Sequence, residues 1–171
     1  MTFMPRILNL GCGSDTYGTD FVDKYPSREK VIKLDMDNEK LPFKNNIFDE
    51  VYFKFVFEHL TNPLFVLKEI RRVLKSGGKL ILITDNAGFF GPFGKTHYGG
   101  YEKLSPHDDD KHYALFTTHH LENWLFKAGF KNTNVRYWIG ERTSSLHKIL
   151  IKFFSLFTDR MYPNLEVEAY K

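Results

Sequence analysis

The chain has a single cysteine, Cys12, so neither an internal disulfide nor a cysteine-rich zinc site can form. Long apolar runs are missing too. The longest apolar stretches, such as Ile149-Leu150-Ile151 between Lys148 and Lys152, are soon interrupted by lysine, and no segment approaches the ~20 residues of a spanning helix. Charge of one sign is not in excess: 24 Lys+Arg stand against 21 Asp+Glu, a net +3, with the signs interleaved as on a solvated surface. That argues against a nucleic-acid partner. Met1 to Leu10 shows no signal-peptide core or cleavage site, and the expected compartment is reduced and cytoplasmic. No repeat, low-complexity tract or Pro/Ser-rich linker interrupts residues 1–171, which predicts one domain.

Aromatic residues are abundant, at 16% with 17 Phe and 9 Tyr. With 42% apolar and 26% charged residues the chain is globular rather than disordered. Short apolar runs at Ile7–Leu10, Phe21–Asp23, Val31–Leu34, Phe48–Phe55 and Lys79–Thr84 read as strands covered on both faces, as in a parallel sheet. Helical patterns alternate with them. Asn62 and Pro63 open one with a stripe at Leu64, Leu67, Ile70 and Leu74, stopped by Gly77. A second starts near Thr118 and stops at Gly129, and a third starts near Ser144. Lys131–Ile139 and Leu165–Tyr170 suit edge elements. The pattern predicts an α/β fold, a three-layer Rossmann-like sandwich with a mostly parallel central sheet. Only eight residues separate Leu10 from Thr19, too few for a full helical crossover, so the first connecting helix must be abbreviated.

Chemistry concentrates where strands end. Asn9-Leu10-Gly11-Cys12-Gly13 follows the first strand, where glycines let a backbone approach a ligand. A dinucleotide fingerprint wants a third glycine at Thr16, which disfavours a nicotinamide cofactor. Asp23 ends the second strand and can accept from a ribose diol; Asp35-Met36-Asp37 ends the third. Then follow Leu41-Pro42-Phe43, Phe48-Asp49-Glu50-Val51, Glu58-His59-Leu60 and Arg72-Val73-Leu74-Lys75-Ser76-Gly77-Gly78. In this order the set resembles the class I S-adenosylmethionine-dependent methyltransferases, in the small-molecule branch with L-P-F, F-D-x-V, E-H-L and R-V-L-K-x-G-G. The resemblance covers residues 6 to about 139.

The resemblance implies S-adenosyl-L-methionine as cofactor. It places Asn9, Gly11, Cys12 and Gly13 in the methionine-binding loop, Asp23 on the ribose and Asp35 with Met36 at the adenine. Lys54 and Phe55 fall beside the methionine moiety. Cys12 also reads as a plain packing residue, and Asp37 as a cap for the next turn. The expected parts are a cofactor half at about 1–84, a lid and substrate insertion at 85–116, and terminal helices and edge strands at 117–171.

The insertion sets Phe89, Phe90, Phe93, Tyr98 and Tyr101 among glycines, with His97, Tyr98 and Tyr101 as candidate substrate contacts. His97, His107, Asp108, Asp109, Asp110 and His112 match no metal-ligand spacing, so no metal is expected. Candidate bases are His112, oriented by Asp110, and its rival His59. Residues 144–159 are apolar nearly all round apart from one polar stripe, which suits a helix under the lid, a homodimer interface or a lipid-facing surface. The expected acceptor is a small or lipid-linked compound. Two other readings stay open, a non-catalytic cofactor-binding module and an RNA or protein methyltransferase.

Overall fold

The computed structural model describes residues 4–89, 111–140 and 143–171. Its centre is a seven-stranded sheet of β1 (Ile7–Leu10), β2 (Asp20–Asp23), β3 (Ile32–Lys33), β4 (Phe48–Lys54), β5 (Leu74–Asp85), β6 (Lys131–Trp138) and β7 (Asn164–Tyr170). The order is β3-β2-β1-β4-β5-β7-β6. Every pair is parallel except those of β7, which is antiparallel to β5 and β6. Helices α1 (Pro63–Val73), α2 (Thr118–Ala128) and α3 (Ser145–Phe154) follow β4, β5 and β6.

Period-two alternation decides what each face of the sheet does. Leu8, Leu10, Val22, Val51, Phe53, Leu80, Leu82, Leu165 and Val167 are fully buried. They join Leu67, Ile70 and Val73 of α1 and Leu121 and Leu125 of α2 in one hydrophobic core. The residues between them lie on the other face, and several are charged. There Glu50 faces Lys79 at 3.2 Å, and Arg136 reaches Glu166 at 2.6 Å and Glu168 at 3.6 Å. Cross-strand pairs of this kind hold a half-solvated face.

The α/β fold with its mostly parallel sheet matches the expectation, and the first connecting helix is reduced to nothing. Residues 11–19 form a loop, as do 24–31 and 34–47. A four-residue strand rises only about 13 Å, so a short loop can retrace it without a helix. Asn9 Nδ2 donates to the Tyr17 carbonyl at 2.9 Å, and the Thr19 amide donates to Ile7 at 2.8 Å, fixing the return path.

Three local expectations change. The stretch 165–170 is not an edge: β7 is paired on both sides, and the alternation of Leu165, Val167 and Ala169 buries it. α1 ends at Val73, not Gly77, because Leu74 already pairs with Phe48 in the sheet. Asn62 occupies the N-cap without a side-chain cap bond. Asp37 takes over, accepting from the Thr61 amide and hydroxyl (both 2.8 Å) and the Asn62 amide (3.0 Å). α2 does carry a side-chain cap at Thr117, and it ends at Gly129 with φ 91°. Among the described residues no helix is long and apolar enough to cross a membrane.

Candidate functional site

The carboxyl ends of β1 and β2 meet the loop after β3 around a cavity of about 310 Å³. Gly11, Gly13, Asp23, Asp35, Met36, Phe55 and His59 are among its lining residues. Gly11 needs to be glycine twice over. Its φ is 69°, and a Cβ there would overlap Val56 Cγ2. Gly13 has φ 49° and only open space where a Cβ would stand. Both leave bare backbone toward the cavity.

Asp23 fastens this loop. Its Oδ2 accepts from the Gly13 amide and its Oδ1 from the Tyr25 amide, each at 2.7 Å. Each carboxylate oxygen keeps a further lone pair for a diol. Asp35 accepts from the Asp37 amide at 3.2 Å and lies 3.3 Å from Lys24 Nζ, so the β3 end turns back beside the cavity. Met36 is buried in the same wall.

A second cavity of about 630 Å³ shares Gly11 and Phe55 with the first. Asn9, Cys12 and Lys54 line this second cavity, with Tyr52, Trp138, Gly140 and Thr143. Burial and the neighbouring Asp23 carboxylate push the Cys12 thiol up, which keeps it protonated and a poor nucleophile. Phe55, half-exposed between the cavities, holds φ 54°. That region is costly for a bulky residue and tends to persist at functional sites. Its amide donates to the Ile83 carbonyl at 2.7 Å, and Lys54 Nζ sits 5.4 Å from the Trp138 ring.

His59 lines the first cavity, and His112, Asp85 and Glu58 gather beside it. The short turn Phe57–His59 holds the chain returning from the insertion: the Glu58 carbonyl accepts from the Tyr113 and Ala114 amides at 2.9 and 3.2 Å. His59 Nδ1 is 3.1 Å from the Lys111 carbonyl. A carbonyl only accepts, so Nδ1 carries the proton and Nε2 is the basic nitrogen of the neutral ring. The His59 and His112 rings meet edge to face at 4.5 Å. His112 Nδ1 lies 3.4 Å from Asp85 Oδ2, at the carboxyl end of β5. Beneath them Glu58 is buried and accepts from Thr84 Oγ1 at 2.8 Å.

So the structure brings both candidate histidines together and sets Asp85 beside His112. Asp110, His97, Tyr98 and Tyr101 lie outside the described residues. Sequence reasoning missed Asp85 and Glu58. Asp85 had a usable signal, a carboxylate closing a central strand just as Asp23 does. Glu58 gave no sign of its burial. Ligand-type atoms of Glu58, His59 and His112 lie within 4.8 Å of one another, a spacing that suits either proton transfer or a divalent cation.

A family model described as a methyltransferase domain matches residues 8–82. An uncharacterised protein of Methanocaldococcus jannaschii is 30% identical over 159 residues, 86% of this chain and 75% of that protein. The ubiquinone/menaquinone biosynthesis C-methyltransferase of Coxiella burnetii is 35% identical over 68 residues, 40% of this chain; the match covers 27% of that enzyme's length. A solved S-adenosylmethionine-dependent methyltransferase of Archaeoglobus fulgidus superposes with a TM-score of 0.65 at 15% identity, covering 98% of this chain and 86% of that one.

Proposed function

Because residues 8–82 match a methyltransferase-domain model and the fold is that of a solved S-adenosylmethionine-dependent methyltransferase, we propose that this chain is such an enzyme and transfers a methyl group to a small or lipid-linked acceptor, with His112 as the proton acceptor. The observation that carries the reading is a single cavity joining the bare glycine backbone, two strand-end carboxylates and His59, whose ring meets that of His112 edge to face.

The residues present fit the cofactor. Gly11 and Gly13 expose backbone at positive φ, the open space at Gly13 admits a ligand, and Asp23 and Asp35 offer acceptors for hydroxyl and amine groups. Asp23 would hold the ribose diol, Asp35 and the Met36 backbone the adenine, and the 11–13 loop the methionine part. When bound, S-adenosylmethionine supplies an electrophilic methyl carbon on a sulfonium. The protein's own share is positioning, desolvation and, where the acceptor carries a proton, a base. The Asp85 carboxylate stabilises the imidazolium that forms when His112 takes that proton, and the His59 ring packs against the His112 ring. A quinone-pathway relative acting at carbon makes an apolar acceptor reasonable, and Phe55 and Trp138 offer apolar walls between and beside the cavities.

Isothermal titration with S-adenosylhomocysteine tests the cofactor step: wild type gives saturable heat. Asp23→Ala weakens binding by about 1.5–3 kcal/mol, because hydroxyls lose a charged acceptor. No heat with folded protein at millimolar ligand would leave a chain that keeps the fold without the activity.

A further inference from the structure

Helix α3 has its apolar side turned outward. At 100° per residue, Leu146, Ile149 and Phe153 share one side, and Leu156 and Phe157 continue it into the turn that follows. These five are 66%, 64%, 57%, 77% and 77% exposed. Lys148, Ile151 and Ser155 are half-buried on the opposite side, and Leu150 is half-buried at the edge of the apolar arc. Ser155 Oγ accepts from the Tyr162 hydroxyl at 3.3 Å, which ties that polar side to the body of the protein. A helix serving the core does the reverse.

We propose that this face seats α3 in the surface of a bilayer containing anionic lipids. Two observations select that occupant. Residues 143–158 carry Lys148 and Lys152 and no acid, and exposed Lys152 borders the apolar arc. Ten helical residues reach only about 15 Å, enough to lie in the interface plane and too short to span. Position adds meaning: Gly140 and Thr143, just before α3, line the larger cavity, so a seated helix brings that cavity's mouth to the bilayer. The proposal does not depend on the methyl-transfer reading, since a membrane seat can be measured without cofactor or acceptor.

The test is sedimentation of the full chain with vesicles of phosphatidylcholine containing roughly 30% phosphatidylglycerol, against pure phosphatidylcholine. Wild type is expected to bind the anionic vesicles at least about tenfold more strongly. The double variant Phe153→Ser, Phe157→Ser loses about tenfold or more of that binding, with its melting temperature unchanged because both rings are exposed. Phe126→Ser, at a still more exposed phenylalanine on α2, binds as wild type does. Wild type failing to sediment with either vesicle overturns the proposal, as does a double variant that binds undiminished. A vesicle-free dimer that the double variant turns into a monomer overturns it too, and assigns the face to a second copy.

Discussion

At the scale of single residues, the proposed proton acceptor is His112. Its Nδ1 faces Asp85 at 3.4 Å while its ring edge meets His59, so each imidazole has one side committed to orientation. His112→Ala is expected to lower turnover by roughly 10²–10⁴-fold and leave S-adenosylhomocysteine affinity unchanged, as a lost general base does. Full turnover in that variant, with His59→Ala inactive, transfers the role to His59. The same cluster allows a sharper check. A proton-transfer site keeps its turnover in excess chelator; turnover lost and then restored by a divalent ion puts a metal on Glu58, His59 and His112. The sequence exposed part of this. Gly11 and Asp23 were legible because a strand followed by glycine, and a strand closed by a carboxylate, are local patterns. Asp85 beside His112 was not, because 26 residues separate them and only the fold brings them together.

At the scale of elements, the short sequence strings that flank the site turn out to hold one another. Arg72, near the end of α1, uses all five guanidinium N–H groups. Nε and Nη2 grip Glu69 at 2.8 and 2.7 Å, while Nη1 and Nη2 reach the Phe43 and Leu41 carbonyls at 2.7 and 2.9 Å and Nη1 the Asn45 side chain at 2.9 Å. Glu69 in turn accepts from the Leu41 amide at 3.0 Å. The Leu41-Pro42-Phe43 segment, which has no helix of its own, is thereby moored to α1. Lys75 does likewise for β4, reaching Asp49 at 2.7 Å. Helix existence was readable from the stripe Leu67, Ile70; this long-range mooring was not, since Arg72 near a helix end also reads as a dipole partner. Arg72→Met should cost about 2–3 kcal/mol, because a largely buried carboxylate loses its cation.

The same pair predicts a pH dependence. The Arg72 guanidinium holds the Glu69 carboxyl below its ordinary range, burial opposing it. A carboxyl whose folded value is depressed stabilises the protein fully above its unfolded value, about 4.3, and loses that contribution as pH falls through the folded value. Chemical denaturation should therefore show Glu69→Gln less stable than wild type at pH 7, with the gap closing on acidification. A gap that stays constant from pH 7 to pH 3 would remove the ion pair from the account.

At the scale of the whole molecule, the helices α1 and α2 pack on one half of the sheet and leave the half that borders the first cavity to loops. β1, β2 and β3 are joined through residues 11–19 and 24–31, and β3 to β4 through 34–47, all without an α-helix. Strand patterns made the sheet legible from sequence. The bareness of this half was only hinted at by the short spacing after Leu10, because loop conformation there depends on contacts such as Asn9 to Tyr17 and Asp23 to Gly13. The loops 11–19 and 24–31 bury only Cys12 and Val31 among their apolar side chains, so their local opening should cost less than opening the α1–α2 core. A ligand that bridges the 11–13 loop, Asp23 and Asp35 must bind the closed arrangement, and it stabilises that state by RT ln(1 + [L]/Kd), about 2.7 kcal/mol at a hundredfold excess over Kd. The melting temperature then rises by roughly 5–10 °C for a chain of this size. Hydrogen exchange localises the effect: with S-adenosylhomocysteine, protection rises in peptides covering 11–47 and stays flat in α2 and β6, which do not touch the first cavity. Protection spread evenly over both halves would mean that the loops already open only with the whole molecule, and that the half without helices is as firmly held as the half with them.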